Sequence, residues 1–129
     1  MLKAAVQSAI DQIRHAFPDA IVTVEEDGDG GAYVIVDPVS LSPTYETTAT
    51  WIGFRITFQY PHADVYPHFV RPDLRRVNGQ PLGDGMSTGQ TFLGRQAIQI
   101  SRRSNHLNPA TDTALLKLQK VLAWLDSRP

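Results

Sequence analysis

The period of the apolar residues changes twice along this chain, and this change constrains the fold more than any other feature. Near the N-terminus, apolar residues recur at steps of three and four: Leu2, Val6, Ala9, Ile13 and Phe17. This spacing places them on one stripe of a helix, which Pro18 ends. From Ala20 the period becomes two, which is typical of strands. A helical period returns near the C-terminus, so the sequence predicts strands clustered between two helices.

The central part of the chain predicts antiparallel strands. The stretch IVTVEEDGDGGAYVIVDPV holds two β-rich runs on either side of a turn sequence, and this predicts a hairpin. The run TTATWIGFRITFQY predicts a third strand, whose core-facing residues are Ile52, Phe54, Ile56 and Phe58. Prolines at 61, 67 and 72 then interrupt regular structure, although residues 67–71 still fit a short edge strand. The result is a four-stranded antiparallel meander.

The second half of the chain predicts an irregular segment, an alternating stretch and a helix. Residues 77–94 consist of turn-forming residues and are too long for a simple connector, which is typical of functional or mobile loops. In RQAIQIS the alternation puts Ile98 and Ile100 in the core and Ala97 on the other face.

The C-terminal helix is predicted from its cap and its apolar stripe. Asn108 is expected as the N-cap, with Pro109 at the first helical position. The stripe runs up to Asp126 and consists of Leu115, Leu118, Val121, Leu122 and Leu125. The predicted fold is therefore a single α+β domain over residues 1–129, with the helices packed on an antiparallel sheet.

Two features of the composition exclude whole classes of protein. No apolar run approaches the ~18 residues needed to cross a bilayer. The N-terminus carries Asp11 and Arg14 where a signal peptide needs an apolar centre, so we expect a cytoplasmic protein. The chain has no cysteine, which excludes disulfides, cysteine-ligated metals and thiol nucleophiles.

The net charge of −1 hides an uneven distribution along the chain. Residues 1–70 hold three Lys/Arg against nine Asp/Glu, whereas residues 71–103 hold six Arg against two Asp. These arginines fit phosphate or an acidic protein surface, so charge alone does not choose the partner. The absence of an RNP, zinc-finger or helix-turn-helix pattern argues against nucleic acid.

The common motifs of metal, phosphate and hydrolase sites are incomplete. Asp27-Gly28-Asp29-Gly30 resembles the start of a calcium loop, but Pro38 stands where the bidentate Glu belongs. GDGMSTG lacks the Lys-Ser/Thr pair of a phosphate loop, and the four histidines show no ligand spacing. Ser87 or Ser101 with His106 as base lacks a nucleophile elbow. We therefore expect no metal and no cofactor.

A polar run directly after the alternating strand is a stronger candidate site. It consists of Arg102, Arg103, Asn105 and His106. Such groups bind or polarise an anion or a carbonyl oxygen. A solvated basic turn before a helix has the same spacing, so the residues alone leave both interpretations open.

The element order, YPHADVYPHFVRPD and HLNPATDTALLKLQKVLAWL together resemble the ubiquitin-conjugating (E2, UBC-fold) superfamily. That family has a Tyr-Pro-x-x-Pro corner, a loose active-site segment and a Trp-x-Pro motif that opens the next helix. Here Tyr66-Pro67 resembles the corner, and Leu107-Asn108-Pro109 resembles the helix opening with Leu107 in place of Trp. The resemblance is strongest to compact bacterial E2-like proteins, which are encoded beside an E1-like enzyme, a ubiquitin-like protein and a peptidase in phage-defence operons.

The resemblance implies a nucleophile position and the residues around it. GRQAIQIS is similar to the family's Gly-x-x-Cys-Leu stretch, which puts Ala97 at the place of the catalytic cysteine. The family's His-Pro-Asn element is missing, with Asn78 as the one asparagine in that region. Asn105 and His106 then become candidates to polarise the thioester carbonyl. Residues 77–94 would form one wall of the active-site groove, and the donor protein would contact Gln99, Ser101, Arg102 and Arg103.

An alanine at this position cannot form the thioester on which transfer to a target amine depends. Two explanations follow: an engineered substitution of the nucleophile in an otherwise active carrier, or a natural non-catalytic E2 variant that only binds a ubiquitin-like protein. The intact outward strand and polar rim favour the first, for which Ala97→Cys should restore a reducible adduct. A nucleic-acid-binding domain that uses the arginine patch is a third, weaker alternative.

Overall fold

The computed structural model describes residues 1–128, which form two helices and a six-stranded sheet. The elements in chain order are α1 (Ala4–Ala16), β1 (Ile21–Glu26), β2 (Ala32–Ser40), β3 (Ala49–Ile56), β4 (His68–Val70), β5 (Met86–Phe92), β6 (Arg95–Ile100) and α2 (Ala114–Asp126). The strand order is β1-β2-β3-β4-β6-β5, and every neighbouring pair is antiparallel. The predicted α+β, UBC-like class is confirmed. The sheet has two strands more than the predicted four-stranded meander. The prediction of an edge strand at residues 67–71 was wrong, because β4 pairs with β3 on one side and with β6 on the other.

Both helices pack on one face of the sheet and bury the main core there. Their core-facing residues are Val6, Ala9, Ile10 and Ile13 on α1 and Ala114, Leu118, Val121 and Leu125 on α2. The strands contribute their alternate residues, which include Val34, Val36, Ile52, Phe54, Ile56, Ile98 and Ile100. The first helix, the hairpin and the third strand are present as predicted, because each has an apolar face of the right period to bury. Of the predicted helix stripe, Leu2 and Phe17 lie just outside α1 and are only partly buried.

Phe58 does not face the core as predicted. It is 43% exposed, because β3 ends at Ile56 and the chain turns immediately after it. The turn is closed by a hydrogen bond from the Tyr60 amide to the Thr57 carbonyl. The ammonium group of Lys3 lies 5.3 Å from the centroid of the Phe58 ring, so this aromatic side chain packs at the surface.

The second helix begins later than predicted. Its N-cap is Thr113, whose side chain accepts a hydrogen bond from the Leu116 amide. Asn108 has cap chemistry but uses it in a separate turn: its side chain accepts from the Ala110 amide, and its carbonyl accepts from the Thr111 and Asp112 amides. The prediction of Asn108 as cap was therefore wrong, since the capped turn does not continue into α2.

The segment 77–94 is only half irregular, which corrects the prediction of a loop throughout. Met86–Phe92 form β5, which pairs with β6 across the Leu93-Gly94 turn. Between the Ser87–Gln99 and Gln90–Ala97 pairs, β5 places Thr88 and Gly89 opposite the single residue Ile98. This is a β-bulge on a strand at the edge of the sheet.

The Leu93-Gly94 turn gives a first testable prediction. Both residues have positive φ, 48° and 76°, as a type I′ turn requires. A leucine resists this conformation, whereas asparagine tolerates it, so we expect Leu93→Asn to raise the free energy of unfolding by about 0.5–1 kcal/mol. Urea denaturation measures the change. Leu116→Asn is the control, because Leu116 is similarly exposed but helical; an equal response of both variants would contradict the role of the turn.

Candidate functional site

Position 97 lies in the middle of a paired strand, on the sheet face that the helices do not cover. Ala97 faces away from Ile98 and Ile100, as the alternation predicted. It is nevertheless only 1% exposed, because it packs in a second, smaller cluster with Ile35 and Phe92. A side chain at position 97 is therefore shielded from solvent.

The cover over position 97 is an aromatic layer, which we define as Tyr33, Trp51, Phe69 and Phe92. The Phe92 ring lies at its centre, with centroid distances of 4.9 Å to Phe69, 6.1 Å to Tyr33 and 6.4 Å to Trp51. Gly53 makes room for it, because a Cβ there would lie 2.6 Å from the Phe92 ring. The Phe92 ring is consequently held over the sheet face on which Ala97 lies.

Two arginines border the aromatic layer. The guanidinium carbon of Arg95 lies 4.9 Å from the centroid of the Trp51 ring, and that of Arg55 lies 5.2 Å from the centroid of the Tyr33 ring. Arg55 is also paired with the buried Asp27, at 2.8 Å. The hydrogen bond from the Asp29 amide is the main reason that the pKa of Asp27 is lowered, with those from Arg55 and Gly31 adding to it against the effect of burial.

Gln99 on β6 and Ser101 just after it were also predicted to contact the donor protein. These two residues lie near each other. Gln99 alternates with Ile98 and Ile100, and its side-chain amide donates a hydrogen bond of 3.1 Å to the Ser101 hydroxyl. Ser101 donates its backbone N–H to the Gly85 carbonyl, so the end of β6 is tied to the start of β5. Both residues are only partly exposed.

A partly buried polar cluster fixes the segment that leads from β6 to α2. It consists of Asp64 between β3 and β4, Ser104 after β6, and Lys117 on α2. The Ser104 amide and hydroxyl donate to the two Asp64 oxygens at 2.7 and 2.8 Å. The Lys117 ammonium donates to both Asp64 oxygens, at 2.9 and 3.2 Å, and to the Ser104 hydroxyl at 2.9 Å. Three parts of the chain are thereby held together.

The charge state of this cluster follows from its hydrogen bonds. Burial by itself would raise the pKa of Asp64, but the donors from Ser104 and Lys117 outweigh it and hold the pKa below its usual value. Asp64 is therefore a carboxylate, and the ammonium of Lys117 compensates its charge. The hydrogen bonds of Asp64 to Ser104 and Lys117 thereby position the segment between β6 and α2.

The predicted polar run lies on this anchored segment. Arg102, Arg103 and Asn105 line one groove together with Lys120 and Trp124 of α2. His106 follows with a positive φ of 56° and is exposed. Arg102, Arg103 and Asn105 are thus brought together on the side that α2 covers, whereas Ala97 lies under the aromatic layer on the other face. The carbonyl-polarising roles of Asn105 and His106 stay predictions.

The basic patch of residues 71–103 is divided in the structure. Arg71 pairs with Asp73 at 2.6 Å and also donates to the Ala49 carbonyl. Arg76 donates to the Pro81 carbonyl. Because these guanidinium groups serve the fold, the arginines do not form one continuous surface.

His68 on β4 is a buried residue that sequence reasoning missed. Its side chain is fully buried next to the Phe54 ring, with 5.1 Å between the ring centroids. Neither ring nitrogen has a hydrogen-bond partner among residues 1–128. Burial, with a contribution from the Lys117 ammonium against the opposing effect of Asp64, lowers the pKa of His68 to about 3.

The polar cluster and the aromatic layer were missed too, although the sequence carried signals for both. Lys117 lies four residues before Val121 and three after Ala114, which places a lysine on the apolar stripe and calls for a buried acidic partner. Tyr33 and Trp51 alternate with core residues of their strands, so two large aromatic side chains share the opposite face. A sheet face with such residues is unlike an ordinary solvated face.

Comparison with known families assigns the chain. Residues 14–128 match the family described as Prokaryotic E2 family E. No curated protein and no solved structure matches the chain significantly. The match covers both sheet edges, the aromatic layer, the polar cluster and α2. Among residues 1–128, no helix is long and apolar enough to cross a membrane.

Proposed function

This chain belongs to Prokaryotic E2 family E, and we propose that it acts as an E2-like binding module that engages a ubiquitin-like protein without carrying it as a thioester. E2 proteins in general work with an E1-like activating enzyme and a ubiquitin-like protein, and these are the partners we propose. We further propose that the protein acts in the cytoplasm of a bacterium, as part of a phage-defence operon that modifies a target protein.

The observation that carries the proposal is the burial of position 97 in a chain without cysteine. A thioester needs a thiolate that an activated carboxyl group can reach. Ala97 supplies no sulfur, and it is 1% exposed under Phe92. A nucleophile needs an open approach, whereas this position supports packing of the sheet.

A second candidate is the carrier with its nucleophile replaced, in which a cysteine at position 97 would accept the ubiquitin-like protein and pass it to an amine. The direction of the Ala97 side chain, away from the helices, favours it. The polar rim at Arg102, Arg103, Asn105 and His106 favours it as well, since such a rim suits contact with the donor and its carbonyl.

One substitution separates the two candidates. Ala97→Cys is mixed with ATP, the cognate E1-like enzyme and its ubiquitin-like protein, and adducts are resolved by electrophoresis with and without reductant. Because the new sulfur would lie under Phe92, we expect no reducible adduct, while the original chain binds the ubiquitin-like protein non-covalently in titration calorimetry. Charging of the E1-like enzyme in the same reaction is the control.

The opposite results are equally informative. A reducible adduct on the Ala97→Cys variant supports the carrier and rejects the binding module as the native role. No binding by the original chain, with a demonstrably folded ubiquitin-like protein, rejects the binding module directly.

A further inference from the structure

A basic groove lies between the segment after β6 and α2. Its volume is about 180 Å³, and its lining includes Arg102, Arg103, Asn105, Lys120 and Trp124. Part of the lining is fixed, because Ser104 and Lys117 belong to the polar cluster with Asp64. This is a concave surface on a rigid support.

The groove carries an excess of uncompensated positive charge. Arg102, Arg103 and Lys120 are exposed, and their side chains have no hydrogen bond or ion pair with any of residues 1–128. Lys117 is the exception, since its charge is balanced by Asp64 at 2.9 Å. Asp112 is the single carboxylate in the lining. Three cations therefore face one acid.

The two arginines are held in place by aromatic rings. The guanidinium carbon of Arg102 lies 5.0 Å from the centroid of the Trp124 ring, and that of Arg103 lies 4.1 Å from the centroid of the Tyr66 ring. Gly85, directly before β5, lies close to Trp124, and a Cβ at this position would lie 3.2 Å from the indole ring. The N–H groups of both guanidinium groups have no hydrogen-bond partner among residues 1–128, and the rings already restrict both side chains, so little side-chain entropy is lost when an anion binds.

We infer that this groove binds an acidic peptide segment, whose carboxylates pair with Arg102, Arg103 and Lys120. Guanidinium edges match carboxylates in bidentate geometry. The groove is short and concave, which fits a few carboxylates better than an extended polyphosphate backbone. The Trp124 ring already contacts Arg102 and Arg128, so it is a poor platform for a nucleic-acid base. The inference rests on the proposed function only in one respect, that a partner protein binds at this groove.

The test uses a fluorescein-labelled hexaglutamate peptide with an amidated C-terminus, and fluorescence anisotropy at low salt. We expect saturable binding that weakens as salt is added. Arg103→Gln and Lys120→Gln should each weaken it roughly tenfold, the loss of one charge-assisted hydrogen bond. Arg75→Gln is the matched control, because it removes the same charge from an exposed position outside the groove and should leave affinity unchanged.

Three results overturn the inference: no saturable binding, an equal loss in Arg75→Gln and Arg103→Gln, or tighter Arg103-dependent binding of an oligothymidine, which would make the groove a nucleic-acid site. The assay contains no ubiquitin-like protein. Peptide binding without binding of the ubiquitin-like protein rejects the proposed function alone, and the reverse result rejects the acidic-peptide site alone.

Discussion

The free energy of unfolding should fall by about 3 kcal/mol between pH 7 and pH 4, chiefly through His68. In the folded protein the pKa of His68 is lowered from 6.5 to about 3, primarily by burial. The unfolded chain therefore binds a proton below pH 6.5 that the folded chain does not bind. Stability is lost progressively as the pH falls from about 6.5 toward 3. Urea unfolding at several pH values measures it.

His68→Leu isolates this contribution. Because neither ring nitrogen has a partner among the described residues, an apolar side chain of similar size leaves no group unpaired. We expect nearly unchanged stability at pH 7 and a much flatter profile down to about pH 4.5. The lowered pKa values of Asp27, Asp64 and Asp73 act in a separate window, below about pH 4. A pH profile as steep in His68→Leu as in the original chain would contradict the assignment to His68. His62→Leu is the control, because His62 is exposed, and it should keep the steep profile of the original chain.

Truncation of Phe92 should have the other large effect. Its ring is only 6% exposed and fills the centre of the aromatic layer. We expect Phe92→Ala to lower the free energy of unfolding by about 3 kcal/mol, through lost burial and the cavity left over Ala97. Phe58→Ala is the control: that ring is 43% exposed and should cost about 1 kcal/mol or less. Equal losses would show that the layer contributes no more than a surface contact.

The same layer controls access to position 97. In the Ala97→Cys variant the new thiol is the one sulfhydryl in the chain, so its reaction with a disulfide reagent reports exposure. We expect slow labelling, and clearly faster labelling when Phe92→Leu is added, a milder change that preserves folding. Fast labelling of Ala97→Cys alone would mean that the strand opens readily, which would favour the carrier.

Periodicity predicted the parts of the fold that bury an apolar face. The first helix, the hairpin and the third strand each carry such a pattern, and each is present, although β3 ends before Phe58. β5 was missed because MSTGQTF has no apolar alternation: only Phe92 is buried, and the ladder with β6 holds the strand in place. Asn108 and Thr113 offer similar cap chemistry, and tertiary packing of the α2 stripe decided between them.

The candidate site was predicted in part. Sequence reasoning found Arg102, Arg103 and Asn105 because they are polar residues that follow a strand. It did not find that Trp124 supports Arg102, since the two are joined only when α2 packs beside the sheet. Alternation gave the direction of Ala97 but not its burial, because its cover, Phe92 on β5, belongs to a strand that the pattern did not reveal.

The bulge in β5 bears on how this domain behaves beside other copies of itself. A strand at the edge of a sheet has unpaired backbone amides and carbonyls, with which a strand of another chain can pair. In β5 the exposed Thr88 and Gly89 interrupt the regular spacing of those groups and increase the local twist. A strand of another chain could therefore pair regularly only with two short stretches of β5, one on each side of the bulge. The exposed edge of β5 is thereby protected against intermolecular strand addition, although no charged side chain lies between Met86 and Phe92.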